Sequence, residues 1–295
     1  MFTLLLFLAE RAGSVCKRQL SSALKPGAIF ALLFFFVTYG TAAGAAEGTA
    51  PGESGMDPGK GRARIALIVD DFGNGLRGTE AMLKLPVKFT VAVMPFLSTS
   101  KKDAETAYRL GHDVLLHLPM EPRSGKPEWL GPGAVLTSMT DAEIRSRVEA
   151  ALEQVPHAVG INNHMGSKVT GDERVMAAIL SVCRERGLIF VDSHTNYRSV
   201  AGKVAVSMGL PPVENQLFLD DVHSRQHVLK QLRLARKQAE SRGYCIAIGH
   251  VGIQGPETAA GLYAGIDETA NAVRFVKISE LVKEEWGWNA VVTLP

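Results

Sequence analysis

The sequence predicts an α/β fold built on a parallel β-sheet, either closed into a barrel or open and doubly wound. Short apolar runs alternate with helical patterns from residue 63 to residue 295, an order typical of strand–helix–strand units. The apolar runs are continuous, as expected for strands that helices cover on both faces. No repeat or second linker interrupts the series, so residues 63–295 are expected to form one domain. The spacing and number of the runs favour a barrel with one irregular side.

The first strand is expected at residues 65–69, an apolar run rich in β-branched residues. It ends at the adjacent carboxylates of Asp70 and Asp71, and a Gly/Asn turn and a short helix at residues 76–85 follow. Parallel sheets place their chemistry at the carboxyl ends of their strands. This strand end is therefore the first candidate for a functional site.

The next two strands are expected at residues 87–94 and 112–117. A helix at residues 100–110 separates them, and the third strand is expected to stop before Pro119 because proline cannot donate to a strand ladder. A loop rich in Pro and Gly follows at residues 122–133, and we expect it to lie over the strand ends.

Two capping boxes predict the starts of the following helices, Thr140 with Glu143 and Thr170 with Glu173. A long helix is expected at residues 224–241. The remaining strands are expected at residues 158–161, 188–191, 217–219, 244–248 and near 273.

The amino terminus predicts export. Residues 1–46 carry scattered basic residues, an uncharged apolar run and then small residues that fit the A-x-A cleavage pattern, so they form a signal peptide or, alternatively, an N-terminal membrane anchor. Residues 47–62 are rich in Gly, Pro and charge, which predicts a flexible linker. Both interpretations place the domain outside the cytoplasm, and we expect it in the periplasm.

Composition excludes some classes of partner and leaves the oligomeric state open. The formal net charge of +2 gives no indication of a nucleic-acid partner. Cys183 and Cys245 lie in apolar patterns and are expected to be buried. Neither belongs to a C-x-x-C pair, so a thiolate metal site is not expected.

Ionisable residues follow most of the predicted strands directly. If the strands are parallel, these residues converge on one face of the domain. Imidazoles and carboxylates gathered there suit a divalent metal, most simply Zn²⁺, and metal-assisted hydrolysis of an amide or ester. The residues in this position are Asp70, Asp71, His117, His164, Asp192, His194, Asp220, Asp221 and His250.

Several longer segments of the sequence can be compared with known families. They are IALIVDDFG, FTVAVMPF, GHDVLLHLPMEP, GINNHMGSKVT, FVDSHT, LFLDD and IAIGH. Together they resemble the divergent polysaccharide deacetylase family of exported bacterial proteins. The resemblance runs from about residue 64 to residue 281 and implies a distorted (β/α) barrel of about seven strands.

The resemblance also implies roles for individual residues. Asp70 matches the catalytic base and His250 the general acid, with Asp192 expected to orient or tune a neighbour. Asp71 and His117 match metal ligands, but Glu121 stands where the family of well-characterised deacetylases has a second His.

Other positions complete the expected site. We expect His164 to supply the third metal ligand, with Glu121 as the alternative ligand. Val251 replaces a common Pro, and His194 replaces the Arg of a DSRT segment. The residues expected to contact substrate are Asn162, Asn163, Glu121 and His194.

The sequence thus predicts a metal-dependent hydrolase that removes N-acetyl or O-acetyl groups from a cell-envelope polysaccharide, with a peptidoglycan-like glycan as partner. The alternative is a non-catalytic glycan-binding or regulatory protein that keeps the fold. The departure at Glu121 favours the alternative, whereas the intact Asp pair and His250 favour the enzyme.

Overall fold

The computed structural model describes residues 61–293. The expected signal or anchor, residues 1–46, and residues 47–60 of the expected linker lie outside the described residues. Within residues 61–293, no helix has both the length and the apolar character needed to cross a bilayer.

The described residues form one curled sheet of parallel strands with helices packed on its outer face. The strands are β1 Arg64–Phe72, β2 Thr90–Val93, β3 Asp113–Met120, β4 Ala158–Met165, β5 Ile189–Asp192, β6 Val213–Glu214, β7 Leu217–Phe218, β8 Tyr244–His250 and β9 Arg274–Val276. The α-helices are α1 Thr79–Leu83, α2 Ser100–Arg109, α3 Asp141–Leu152, α4 Glu173–Arg186, α5 Ala201–Ser207, α6 Arg225–Arg242, α7 Gly255–Ala270 and α8 Ile278–Trp286.

The strand order is β6-β5-β4-β3-β2-β1-β8-β7, and β9 pairs with β1 outside this path. The two end strands, β6 and β7, are consecutive in the chain and are joined only by Asn215 and Gln216. Gln216 also exchanges hydrogen bonds with the backbone of Ile246 on β8. The two edges of the curled sheet are therefore joined by this short connection and not by hydrogen bonds between β6 and β7. The predicted distorted parallel barrel is confirmed.

A contact across the sheet measures the curl. The Asn162 Nδ2 group on β4 donates to Asp70 Oδ1 on β1 at 2.9 Å, although β3 and β2 lie between these strands. In a flat sheet, strands three positions apart are about 14 Å apart. The curl therefore brings the carboxyl ends of distant strands within hydrogen-bonding distance.

Two apolar cores hold the barrel. The larger lies between the sheet and the outer helices, and the smaller is formed by alternate strand residues such as Ile68, Leu115 and Ile246 together with Leu281 of α8. Thr90 Oγ1 and Asp113 Oδ2 accept the first backbone N–H groups of α8. Because Thr90 and Asp113 begin β2 and β3, α8 closes the amino end of the barrel and leaves the carboxyl end open.

Several predicted boundaries are corrected. β3 continues through Pro119 to Met120 because its pairing with β2 ends at Leu116, so the missing proline N–H falls beyond the end of that ladder. β4 extends to Met165, which carries the His164 segment on a strand. The capping box at Thr140 is present, but Asp172 rather than Thr170 caps α4, since its side chain accepts the Val175 N–H. Both cysteines are buried and free, as expected.

Two glycines join the loops that follow β1 and β8. Gly78 and Gly255 bring their backbones together so closely that a Cβ on Gly255 would lie 2.2 Å from the Arg77 carbonyl oxygen. The same oxygen accepts the Gly252 N–H at 2.9 Å. This contact fixes the loop after Asp71 against the loop after His250.

We therefore expect Gly255→Ala to destabilise the protein by about 1–3 kcal/mol, because the new methyl group forces the two backbones apart. Gly202→Ala is the matched control, since the nearest atom to its added Cβ is Pro212 Cβ at 3.6 Å. That change is expected to be neutral or to stabilise by up to about 1 kcal/mol. Urea unfolding measures both, and equal losses for the two variants would contradict the close-contact explanation.

Candidate functional site

A β-bulge brings both carboxylates of the Asp pair to the open end of the barrel. Neighbouring strand residues normally point to opposite faces. Here the pairing of β1 with β2 slips between Val69 and Phe72, and Asp71 has a φ of 71° in the left-handed region. Bulges of this kind re-aim side chains next to functional sites, and Asp tolerates the left-handed conformation better than most residues. Asp70 and Asp71 consequently face the same group of histidines.

Three side chains from three strands converge there. Asp71 Oδ1 lies 3.3 Å from His117 Nε2 and 3.2 Å from His164 Nδ1, and the two imidazole nitrogens are 3.2 Å apart. Ligands at 2.0–2.1 Å in tetrahedral positions around zinc are about 3.3 Å from one another. The triangle therefore has the size that a tetrahedral metal requires, and among the described residues these three form a possible metal site.

Hydrogen bonds fix which imidazole nitrogens face this triangle. His117 Nδ1 donates to Asn162 Oδ1 at 2.9 Å, because the Asn162 Nδ2 group is already donating to Asp70. His164 Nε2 donates to the backbone carbonyl of Trp129 at 2.9 Å. In the neutral form of each ring, His117 Nε2 and His164 Nδ1 therefore present lone pairs, which is the state that a metal-binding histidine adopts when its other nitrogen is held by an acceptor.

The triangle is thus made of three acceptors. Asp71 Oδ1 is a buried atom, and no group within residues 61–293 donates a well-formed hydrogen bond to it. Burial by itself raises the pKa of Asp71, but contacts with His117 and His164 hold that pKa well below its usual range. Burial lowers the pKa of His117, and the Asp70 and Asp71 charges more than offset this and raise it. One proton among three acceptors satisfies them only in part, whereas a divalent cation contacts all of them, so the residues present fit a metal.

Asp70 lies beside the triangle in a drier environment. It is 1% exposed, its Oδ1 accepts from Asn162, and its Oδ2 lies 3.7 Å from His117 Nε2. Burial raises the pKa of Asp70, partly opposed by the charges of His117 and His250, and the neighbouring Asp71 raises it further. Environment thus moves the pKa values of two adjacent carboxyl groups in opposite directions, a pattern that separates a proton acceptor from a metal ligand.

A second imidazole faces Asp70 from the next strand. His250 on β8 is in register with Asp70 on β1. Its Nδ1 donates to Asp220 Oδ1 at 2.8 Å, and Asp220 Oδ2 accepts from the His250 backbone N–H and from Thr258 Oγ1. Burial lowers the pKa of His250, but Asp220 more than offsets it and raises the pKa to about 10. His250 is therefore protonated at neutral pH, with Nε2 as its available donor.

The two asparagines expected to contact substrate have a different role. Asn162 is fully buried and joins Asp70 to His117, and Asn163 is 1% exposed. Asn163 donates to the Met165 carbonyl and accepts the Ser193 backbone N–H. Because their amide groups are already used inside the protein, these residues position the site and do not present themselves to a ligand.

Glu121 does not join the triangle. Its carboxylate accepts the backbone N–H and the hydroxyl of Thr137 at 2.7 Å and forms an ion pair with Lys168 at 2.6 Å. His164, one strand further along, occupies the position next to Asp71 and His117 instead.

Asp192 is the last residue of β5, and His194 lies in the loop that follows. The Asp192 carboxylate accepts the His194 backbone N–H and the Ser199 hydroxyl, so it holds this loop rather than His250. His194 Nδ1 lies 3.4 Å from the Asn215 carbonyl and borders a cleft outside the triangle.

The sequence interpretation missed two partners of the central histidines. Asp220, which orients His250, was recognised only as one more acidic residue after a strand, and its pairing depends on the curl of the sheet. Trp129, whose carbonyl orients His164, lies in the Pro/Gly-rich loop, and a backbone contact of this kind leaves no signal in the residue type.

The comparisons with known proteins agree with this architecture. The profile of the family described as divergent polysaccharide deacetylase matches residues 67–282. An uncharacterised Haemophilus influenzae protein is 33% identical over 224 residues, 76% of this chain and 78% of the relative. The uncharacterised Escherichia coli protein YibQ is 33% identical over 221 residues, 75% of this chain and 68% of the relative.

A solved structure shows the same fold. The crystal structure of an uncharacterised Agrobacterium tumefaciens protein superposes with a TM-score of 0.70 at 21% identity, covering 75% of this chain and 89% of that one. With a profile match over most of the described residues and two relatives at 33% identity, the chain belongs to the divergent polysaccharide deacetylase family.

Proposed function

We propose that this protein is a metal-dependent hydrolase that removes N-acetyl or O-acetyl groups from a cell-envelope polysaccharide. One observation carries the proposal: Asp71, His117 and His164 direct three acceptor atoms at a common point, 3.2–3.3 Å from one another. A proton on one of these atoms satisfies them only in part, whereas a cation at the centre would contact all three. The family membership supplies the substrate class.

The donor set favours zinc. Two neutral imidazoles and one carboxylate are the ligands of many catalytic zinc sites, and the fourth position is left for water or substrate. When bound, the ion would polarise the scissile carbonyl and lower the pKa of a water molecule. The Asp71 and His164 side chains are 23% and 19% exposed, whereas His117 is 2% exposed, so the triangle is open on the solvent side.

Asp70 is suited to act as the general base. It lies against the triangle, and the Asn162 amide holds its carboxylate in one orientation. Its raised pKa brings it closer to the operating pH, where a base both exists in its ionised form and accepts a proton readily. In the proposed reaction Asp70 takes a proton from the attacking water.

His250 is suited to act as the general acid. Asp220 keeps it protonated and accepts from Nδ1, which leaves Nε2 as the available donor. Its register opposite Asp70 allows the base and the acid to work from adjacent strands, on the same bond. His250 would donate its Nε2 proton to the leaving nitrogen or oxygen of the sugar.

The non-catalytic alternative rested on Glu121 standing at a ligand position. Since His164 directs a nitrogen into the triangle and Glu121 is paired elsewhere, this departure leaves three ligand atoms together. That arrangement supports the enzyme over the binding protein. The N-terminal pattern of residues 1–46 supports a periplasmic location for the activity.

The metal assignment predicts about one zinc per chain in protein purified without a His tag. The His117→Ala, His164→Ala double variant should lose it, while Glu121→Gln should retain it because Glu121 lies outside the triangle. Elemental analysis measures the content. Free zinc at 1,000 times its dissociation constant should raise the free energy of unfolding by about 4 kcal/mol, and a chelator should remove this increase. A folded wild-type protein without metal would contradict the assignment.

The base assignment predicts that Asp70→Asn lowers the deacetylation rate by about 10²–10⁴-fold, because general-base catalysis contributes that much. Zinc content should be unchanged, which separates loss of the base from loss of the metal. Acetate release from N-acetylated cell-wall glycans measures the rate, with zinc, cobalt or manganese added. No release from any such glycan by the wild type would contradict the proposed function, and retained activity in the variant would contradict the role of Asp70.

The acid assignment predicts that the His250 imidazole titrates near pH 10. Asp220→Asn should move the pKa down towards about 6.5, the value of an isolated histidine. Since the folded-state pKa is raised, the pair stabilises the fold fully below about pH 6.5 and loses that contribution as the pH rises towards 10. NMR of labelled histidine in metal-free protein measures the titration. Asp221→Asn, next in the chain, is the control, and an equal shift there would refute the pairing.

A further inference from the structure

Cationic and aromatic side chains surround the open end of the barrel on one side. They lie in the loops after β3 and β5, on either side of the loop after β4. The strands β3 and β4 carry the candidate metal ligands His117 and His164. We call this surface the basic rim and define it by Arg123, Lys126, Trp129, Tyr197 and Arg198. All five side chains are exposed.

Trp129 ties the rim to the metal site. Its carbonyl accepts the His164 Nε2 proton at 2.9 Å, while its side chain is 59% exposed. The Lys126 ammonium lies 5.6 Å from the centroid of the indole ring. A molecule that covers this indole therefore contacts an aromatic surface and a cation at the same place, next to the proposed metal ligand His164.

Tyr197 ties the rim to the acid side. Its side chain is 98% exposed, and its ring meets His194 edge-on with centroids 6.0 Å apart. Both residues line a cleft of about 260 Å³ that Phe218 also lines. The Phe218 ring is stacked with His250 at 6.0 Å. The cleft thus extends from an exposed aromatic ring to Phe218, whose ring packs against the proposed general acid.

The three cations of the rim lack acidic partners in the part of the chain that the structure describes. Among the described residues, Arg123, Lys126 and Arg198 form no ion pair with a carboxylate. Arg123 donates to the Ser167 carbonyl, as Asn196 does, and this joins the loops of Arg123 and Arg198. In the loops after β3, β4 and β5, Glu121 is paired with Lys168 and Asp172 caps α4. These loops therefore hold three unpaired cations and one further carboxylate, Glu128.

We propose that the basic rim binds the substrate chain and selects a polysaccharide whose sugar units carry carboxylate groups. This proposal rests on the proposed function in one respect, which is that the polysaccharide loses its acetyl groups at the Asp71, His117 and His164 triangle. The aromatic rings cover the apolar faces of sugar rings, and the three cations attract the carboxylates beside them. The basic rim thus extends the proposed function by specifying that the polysaccharide is acidic.

Two oligosaccharides of equal length test the proposal by calorimetry. A hyaluronan hexamer alternates glucuronate with N-acetylglucosamine, and a chitin hexamer contains N-acetylglucosamine only. We expect the full-length protein carrying Asp70→Asn to bind hyaluronan more tightly and with a stronger salt dependence. Arg123→Gln with Arg198→Gln should weaken hyaluronan binding by about tenfold and leave chitin binding unchanged. Lys230→Gln with Lys237→Gln on α6 removes equal charge from the outer surface and should change neither.

The aromatic part has its own variants. Trp129→Leu and Tyr197→Leu keep the backbone contacts and should weaken binding of both oligosaccharides. Equal affinity for the two sugars, or an equal loss in the α6 control, would overturn the proposal. So would poly-glutamate that binds as tightly as hyaluronan, since this would show attraction of any polyanion. Binding is measured without turnover, so charge-selective binding together with absent acetate release by the wild type would refute the proposed function alone.

Discussion

The site depends on the hydrogen bonds of one buried side chain, Asn162. Its amide accepts from His117 and donates to Asp70, so it sets the imidazole tautomer and the carboxylate orientation together. The contact to Asp70 crosses two intervening strands and exists only because the sheet curls. In a buried location both halves of the amide must be satisfied, since an unpaired polar group there costs about 1–3 kcal/mol. The fold and the site therefore specify each other at this residue.

The pKa values of the site follow from the buried partner that each ionisable group has. Asp71 and Asp70 are chemically identical neighbours, yet a one-residue bulge directs one towards two lone-pair nitrogens and buries the other against Asn162. The first has a depressed pKa and the second a raised one. On the far side Asp220 holds a positive charge on His250. The candidate base, the candidate cation site and the candidate acid thus lie on one row of strand ends and differ because each has a different buried partner.

Most of the fold was predictable because continuous apolar runs and their turn residues are local signals. The placement of Asp70, His117, His164 and His250 at one end followed from parallel pairing. The roles of Asn162 and Asp220 did not follow, since both depend on contacts between residues far apart in the chain. The boundary at Pro119 was wrong for the same reason: where β2 ends decides whether a proline is tolerated in β3. Local patterns locate strand ends, and tertiary geometry assigns partners.

The position of Glu121 shows why a changed motif need not remove a site. Two histidines four residues apart on one strand end are one way to present two nitrogens to a metal. In a curled parallel sheet, neighbouring strand ends lie about 4.8 Å apart, so a histidine on the next strand can reach the same point. His164 pairs in register with Pro119, two residues after His117, and its Nδ1 meets His117 Nε2 at 3.2 Å. Because the barrel offers several strand ends to one centre, the ligand set is constrained by its geometry rather than by spacing along the chain.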